Sequence, residues 1–214
     1  MILTEIKIGK RGTERTLLFD DGSKLRTQSG VVAEFGLYEG QELSEAQLQA
    51  LKEAIGANGA KQRAARIVSA ANISEKQLRR RLVQKGETRQ HADEAARWLR
   101  ELHLLDDRRT GEAIVHSALQ KGYGERRIRQ ILREKEIPEE YWDELLRDLP
   151  SMETAVDKLL RKKLKHIPPS REEAQRAAQS LIRSGHKWAD IKAGLERISA
   201  ESDWEDTECL PELE

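Results

Sequence analysis

Three times along this chain, a residue suited to closing a helix is followed six and ten positions later by aliphatic side chains. Gly122 leads to Ile128 and Leu132, Asn72 to Leu78 and Leu82, and Gly185 to Ile191 and Leu195. Gly and Asn enter the left-handed conformation at least cost, and that conformation ends a helix at its C′ position. In such an ending the next residue packs back onto the helix just completed. Here Ile73, Tyr123 and His186 would meet Val68, Ala118 and Leu181. The aliphatic spacing after each cap is that of a single helix stripe. One cap–turn–helix module is therefore used in tandem, each copy burying its stripe on its neighbours.

Composition agrees with thin stacked helices better than with one thick core, because the 214 residues are 36% charged and only 4% aromatic. The predicted fold class is mostly α: tandem three-helix, helix-turn-helix-like repeats forming an elongated curved solenoid, with a small N-terminal β-meander. Residues 1–42 form the β-rich element, where Ile2, Ile6 and Ile8 alternate with Leu3, Glu5 and Lys7 and Asp21-Gly22 marks a hairpin. Residues 43–108 hold a linker helix and repeat 1. The helix opens on a capping box, Ser44-Glu-Ala-Gln47, and is interrupted at Gly56-Ala-Asn-Gly59; Ser74-Glu-Lys-Gln77 is a second such box. Repeat 2 spans 109–150 and repeat 3 spans 151–200.

Residues 201–214 are an acidic tail, expected to be disordered, with seven acids and no Lys or Arg. The formal charge is +0 over the whole chain, so the body preceding this tail is basic.

Residue usage argues against catalysis. A single cysteine, Cys209, allows no internal disulfide and no Cys-cluster metal site. His91, His103, His116, His166 and His186 lack ligand spacing, and Asp106-Asp107 reads as a helix cap. Gly122-Tyr-Gly124 lacks the Gly-Lys-Ser/Thr ending of a phosphate loop. No enzyme, metal or cofactor is expected. The N-terminus shows no basic start followed by an apolar run, and no stretch reaches membrane-spanning length. A cytoplasmic monomer is the expected form.

The candidate binding face is cationic. Lys76, Arg79 and Arg80 lie on the second helix of repeat 1, Lys121, Tyr123, Arg126, Arg129 and Arg133 on or just before that of repeat 2, and Lys162 on the helix preceding repeat 3's cap. Lys76 and Arg79 superpose on Arg126 and Arg129 when the modules are aligned. A recurring basic stripe suits a polyanion, since each phosphate neutralised releases counterion without reading sequence. Tyr123, Trp98, Trp142 and Trp188 could stack on bases, but the tryptophans are read as core, Trp98 and Trp142 because they share stripes with leucines, and a helix-ending contact explains Tyr123 equally well. An alternative reading of the same residues is a non-enzymatic DNA-binding protein of helix-turn-helix type. Tandem placement in one chain suits a filament groove better than a symmetric operator.

Lys121-Gly-Tyr-Gly with Arg127-Ile128-Arg129 and Leu132, preceded by Leu105-Asp106-Asp107 and by Ser74 through Gly86, resembles the RecX family of bacterial recombination regulators over roughly residues 60–198. The strand-rich start is similar to the N-terminal extension of some members. The resemblance implies tandem three-helix repeats, no catalytic activity, no cofactor, and binding to RecA filaments on single-stranded DNA, with weaker binding to double-stranded DNA. It also implies inhibition of filament growth, ATP hydrolysis, strand exchange and co-protease function, within the SOS response and DNA repair. Three departures stand out. Glu136 occupies a place usually held by glycine, Arg109 and Thr110 one where an aromatic is common, and Ala189 and Lys192 leave the third module poorer in charge.

Overall fold

A three-stranded antiparallel sheet precedes ten α-helices in a computed structural model that describes residues 1–9, 12–147 and 149–205. The chain divides into two units, Met1–Asp106 and Asp107–Glu214.

In the first unit, β1 (Leu3–Ile8), β2 (Glu14–Phe19) and β3 (Lys24–Gln28) pair in the order β1-β2-β3. The expected Asp21-Gly22 turn is present, with Gly22 at φ +81 and the Asp21 carboxylate accepting from the Ser23 N–H. The expected face of β1 is corrected. Pairing shifts between Leu3 and Glu5, and this irregularity places both Leu3 and Ile6 against the core. Ile2 faces solvent as a result, while Ile8, on the same face as Ile6, is exposed at the end of the strand.

α1 (Ser29–Glu34) ends at Gly36, at φ +55. α2 (Glu45–Ala70) starts on the complete Ser44–Gln47 capping box. Its first half packs Leu48 and Leu51 onto the sheet with Leu17 and Phe19, while Ala60 and Ala64 join α3 (Glu75–Gln84) and α4 (Arg89–Glu101) around Leu78, Leu82, Ala95 and Leu99. Full burial of each such leucine contributes about 1.5–3 kcal/mol.

Two expectations about α2 are overturned. Gly56 and Gly59 do not interrupt it; the helix runs straight through both. Asn72 is not left-handed. The chain leaves α2 in extended geometry at Ala71 (φ −163), which carries Ile73 directly into the core and Ser74 into the cap of α3.

The second unit contains α5 (Asp107–Gln120), α6 (Glu125–Glu134), a 3-10 turn at Glu139–Tyr141, α7 (Trp142–Arg147), α8 (Met152–Lys163), α9 (Arg171–Arg183) and α10 (Trp188–Glu205). Val115, Ala118, Ile128, Leu132, Ile137 and Trp142 form one core, in which the Trp142 indole N–H donates to the Ile137 carbonyl at 3.1 Å. Val156, Leu160, Leu181, Ile191 and Ile198 form another. α10 also packs on α8 through a forked ion pair, Arg197 donating to both Asp157 oxygens at 3.0 and 2.7 Å. α10 continues through Glu205, past the expected start of the acidic tail at 201; residues 206–214 of that tail lie outside the described residues.

The endings of α3, α4, α5, α6 and α9 follow one rule. The N–H of the residue after a left-handed position donates back five residues: Glu87 to Leu82, Leu104 to Leu99, Tyr123 to Ala118, Ile137 to Leu132 and His186 to Leu181, all within 2.9–3.1 Å. The left-handed residues are Gly86, His103, Gly122, Glu136 and Gly185. Glu136 therefore closes its helix as tightly as glycine would, at φ +55.

Candidate nucleic-acid and partner interface

Two cap turns of the second unit are docked backbone to backbone. The Gly124 N–H donates to the Ser184 carbonyl at 2.9 Å, the Arg126 N–H to the Gly185 carbonyl at 3.3 Å, and the His186 imidazole Nε2 to the Gly122 carbonyl at 3.0 Å. A carbonyl only accepts, so Nε2 carries the proton. This joint brings the starts of α6 and α10 together. Glu125 then bridges them, accepting from Arg129 at 2.9 Å and Lys187 at 3.3 Å. The hydrogen bond from Arg129, followed by Lys187, holds the Glu125 carboxyl below its ordinary value despite partial burial.

α6 buries Ile128 and Leu132 completely and turns Arg126 and Arg133 to solvent. Arg129 shares that outer side, 41% exposed and tied to Glu125. Arg133 also lies over the Trp142 ring, 5.5 Å from its centroid. Tyr123 is half-buried beneath Arg127 and packs into the core around Ala118, so the helix-ending contact accounts for it. Lys121 is exposed on the turn before α6, and Lys162 is exposed in the last turn of α8.

The remaining expected residues lie on α3, in the first unit. Lys76 and Arg80 are exposed. Arg79 is 42% exposed and is held by Glu75 and, at 3.1 Å, by Asp93 of α4. Glu75–Arg79 and Glu125–Arg129 are the same pair at the same place in two modules. At these positions each arginine is partly neutralised by an acid one helical turn earlier.

Sequence reading gave too little weight to Lys187 and Trp188. Trp188 is 56% exposed at the start of α10, next to Lys187 on the Glu125 bridge. Trp188 stands at helical spacing from Ile191 and Leu195, so no signal in the sequence separated it from buried Trp142. Among the described residues no group of three His, Cys, Asp or Glu side chains could hold a metal ion, and no helix is long and apolar enough to cross a membrane.

These features define a class: a helical-repeat protein whose modules bury one helix stripe and present cations on another. A family model, RecX second three-helix domain, matches residues 106–146. The chain is similar to Regulatory protein RecX of Cronobacter sakazakii, 32% identical over 143 residues, covering 61% of this chain and 87% of that one. It is also similar to Regulatory protein RecX of Clostridium tetani, 26% identical over 203 residues, covering 92% and 94%. The fold matches a crystal structure of regulatory protein RecX with TM-score 0.69 at 23% identity, covering 89% of this chain and 97% of that one. It matches RecX from Lactobacillus salivarius with TM-score 0.61 at 18% identity, covering 69% and 99%. The chain belongs to the RecX family of regulatory proteins.

Proposed function

We propose that this protein is a negative regulator of RecA, binding RecA filaments on single-stranded DNA and inhibiting their growth, ATP hydrolysis, strand exchange and co-protease function. The observation that carries the reading is the outer side of α6, where Arg126 and Arg133 face solvent while Ile128 and Leu132 on the other side are fully buried. Family membership supplies the regulatory role.

The mechanism is electrostatic and steric. Arg126, Arg129, Arg133, Lys121 and Lys187 contact phosphate or acidic protein groups, and Lys162, Lys76, Arg79 and Arg80 extend the contact from other helices. The protein bound along the filament then obstructs subunit addition and ATP turnover. The three modules, 43–108, 109–150 and 151–200, act as separate contact units in this scheme.

The test is DNA-dependent ATP hydrolysis by RecA with this protein added well below stoichiometry. Hydrolysis is expected to fall, and the variant carrying Arg126→Glu, Arg129→Glu and Arg133→Glu is expected to leave it unchanged while keeping its helicity. Tight binding to bare DNA with no effect on RecA would replace this reading with that of a plain DNA-binding protein. Full inhibition by the triple variant would overturn the α6 assignment.

A further inference from the structure

Helix α2 carries two glycines at its centre, each costing about 1 kcal/mol of helix propensity relative to alanine, and only one of them is explained by packing. A side chain at Gly56 would strike the His91 imidazole, its Cβ lying 2.4 Å from Cε1. His91 is buried there and hydrogen-bonds Glu53 across the same helix face at 2.9 Å. Gly59 is different: a Cβ built on it meets nothing within 4 Å. Bare backbone at this position lines an open cleft of about 450 Å³, within the roughly 300–1,000 Å³ typical of small-ligand sites.

The cleft opens where α2 stops packing on the sheet and enters the helical bundle. Its walls are the adjacent ends of β2 and β3 and the middle of α2. Ile55 gives it one apolar contact, and the remaining lining is polar. Arg15 is half-buried and anchored, its guanidinium donating to the Gly12 and Glu14 carbonyls, and Arg26 lies on the exposed rim. Thr27, on β3 opposite Arg15, is buried, and its hydroxyl has no partner. On α2 the Gln62 side-chain NH₂ donates to the Asn58 carbonyl oxygen at 2.8 Å. That bond leaves the Asn58 NH₂ as donor and the Gln62 carbonyl as acceptor, side by side on consecutive turns. The carboxylate in the lining is Glu14.

We propose that this cleft holds one nucleotide of single-stranded nucleic acid, a site separate from the α6 surface. The paired donor and acceptor of Asn58 and Gln62 match the edge of an unpaired base, as carboxamides do in direct readout. Arg15 and Arg26 offer charge-assisted hydrogen bonds to the flanking phosphates. The missing side chain at Gly59 lets the base approach the helix backbone. A base enters the cleft only when splayed out of its stack, as single strands allow, so the cleft selects for single strands. The proposal rests on the single-strand part of the function proposed above, and its test separates the two.

Fluorescence anisotropy of the full chain with a labelled mixed-sequence 12-nucleotide single strand is the measurement. Gly59→Leu places bulk in the cleft from a position where an added Cβ meets nothing within 4 Å, and is expected to weaken binding about tenfold with a circular-dichroism melt no lower than the parent's. Arg15→Ala and Gln62→Ala, which remove groups without adding bulk, are expected to weaken it several-fold. Binding by Gly59→Leu within twofold of the parent overturns the cleft, and so does a parent chain that binds no single strand. If charge reversal on α6 leaves strand binding intact while Gly59→Leu weakens it, the cleft stands and the α6 reading falls. The reverse pattern removes the cleft alone.

Discussion

Gly185 lies directly against Arg127: a Cβ built on Gly185 would sit 2.4 Å from the Arg127 backbone nitrogen and 2.6 Å from its Cβ. Gly185 also holds φ +90, so a side chain there is excluded twice, by backbone conformation and by space. Gly86 has nearly the same φ, +91, with nothing within 4 Å of an added Cβ. The two glycines separate the contributions. Gly86→Ala is expected to cost about 1–2 kcal/mol, the left-handed penalty alone. Gly185→Ala is expected to cost about 3–4 kcal/mol, because the joint between the turns must also open. Urea unfolding of both variants checks this; equal losses would show that the backbone contact is not tight.

The cap positions were legible in the sequence where glycine made them so, at Gly122 and Gly185, because local conformation alone decides them. Asn72 misled because burial of Ile73 governs that turn. The run Gly56–Gly59 reads as a helix break by propensity, yet α2 persists because Leu51 on one side and Ala60 on the other are fully buried on different partners. Nothing local announces the shift in β1, since Ile2, Ile6 and Ile8 fit strict alternation without it. The basic residues were legible as a set, but their partners were not. Asp93 reaches Arg79 only through the packing of α4 on α3, and Lys187 reaches Glu125 only through the docked turns.

Glu136 gives a stability gain that runs against the usual direction of mutation. It sits at φ +55, where a side chain costs about 1 kcal/mol relative to glycine. Glu136→Gly is expected to raise stability by about 0.5–1 kcal/mol, since the ending already has the geometry glycine prefers. Thermal melts would show an increase of a few degrees. A decrease would mean that the contacts Glu136 makes outweigh its strain.

The two glycines of α2 predict opposite outcomes for one chemical change. Alanine at Gly59 gains helix propensity and meets nothing, so Gly59→Ala is expected to stabilise by about 0.5–1 kcal/mol. Alanine at Gly56 gains the same propensity but forces the buried His91 ring to move and disturbs its bond to Glu53. Gly56→Ala is expected to destabilise by about 1–3 kcal/mol, the range for overpacking. Denaturant midpoints of the pair decide it, and a stabilised Gly56→Ala would show that His91 can swing away freely.

Glu125 makes the α6–α10 joint acid-sensitive. Its carboxyl is held below the ordinary carboxylate range, first by the hydrogen bond from Arg129 and then by Lys187. A group whose folded value is depressed contributes stability above its unfolded value, about 4.3, and loses that contribution as pH falls through the folded one. Glu125→Gln is therefore expected to be less stable than the parent at pH 7, by no more than about 1 kcal/mol since the pair is partly exposed. The gap should close steadily below pH 4.5. Urea midpoints at pH 7, 5, 4 and 3 measure it; a gap independent of pH would mean that shape, not charge, makes the bridge. The same variant releases Arg129 and Lys187 from their shared acid. If these cations face a phosphate backbone, Glu125→Gln should bind single strands more tightly at neutral pH even as its fold weakens, and the salt dependence of binding should steepen. Loss of stability together with loss of binding would instead place Glu125 itself in contact with a basic group on the partner.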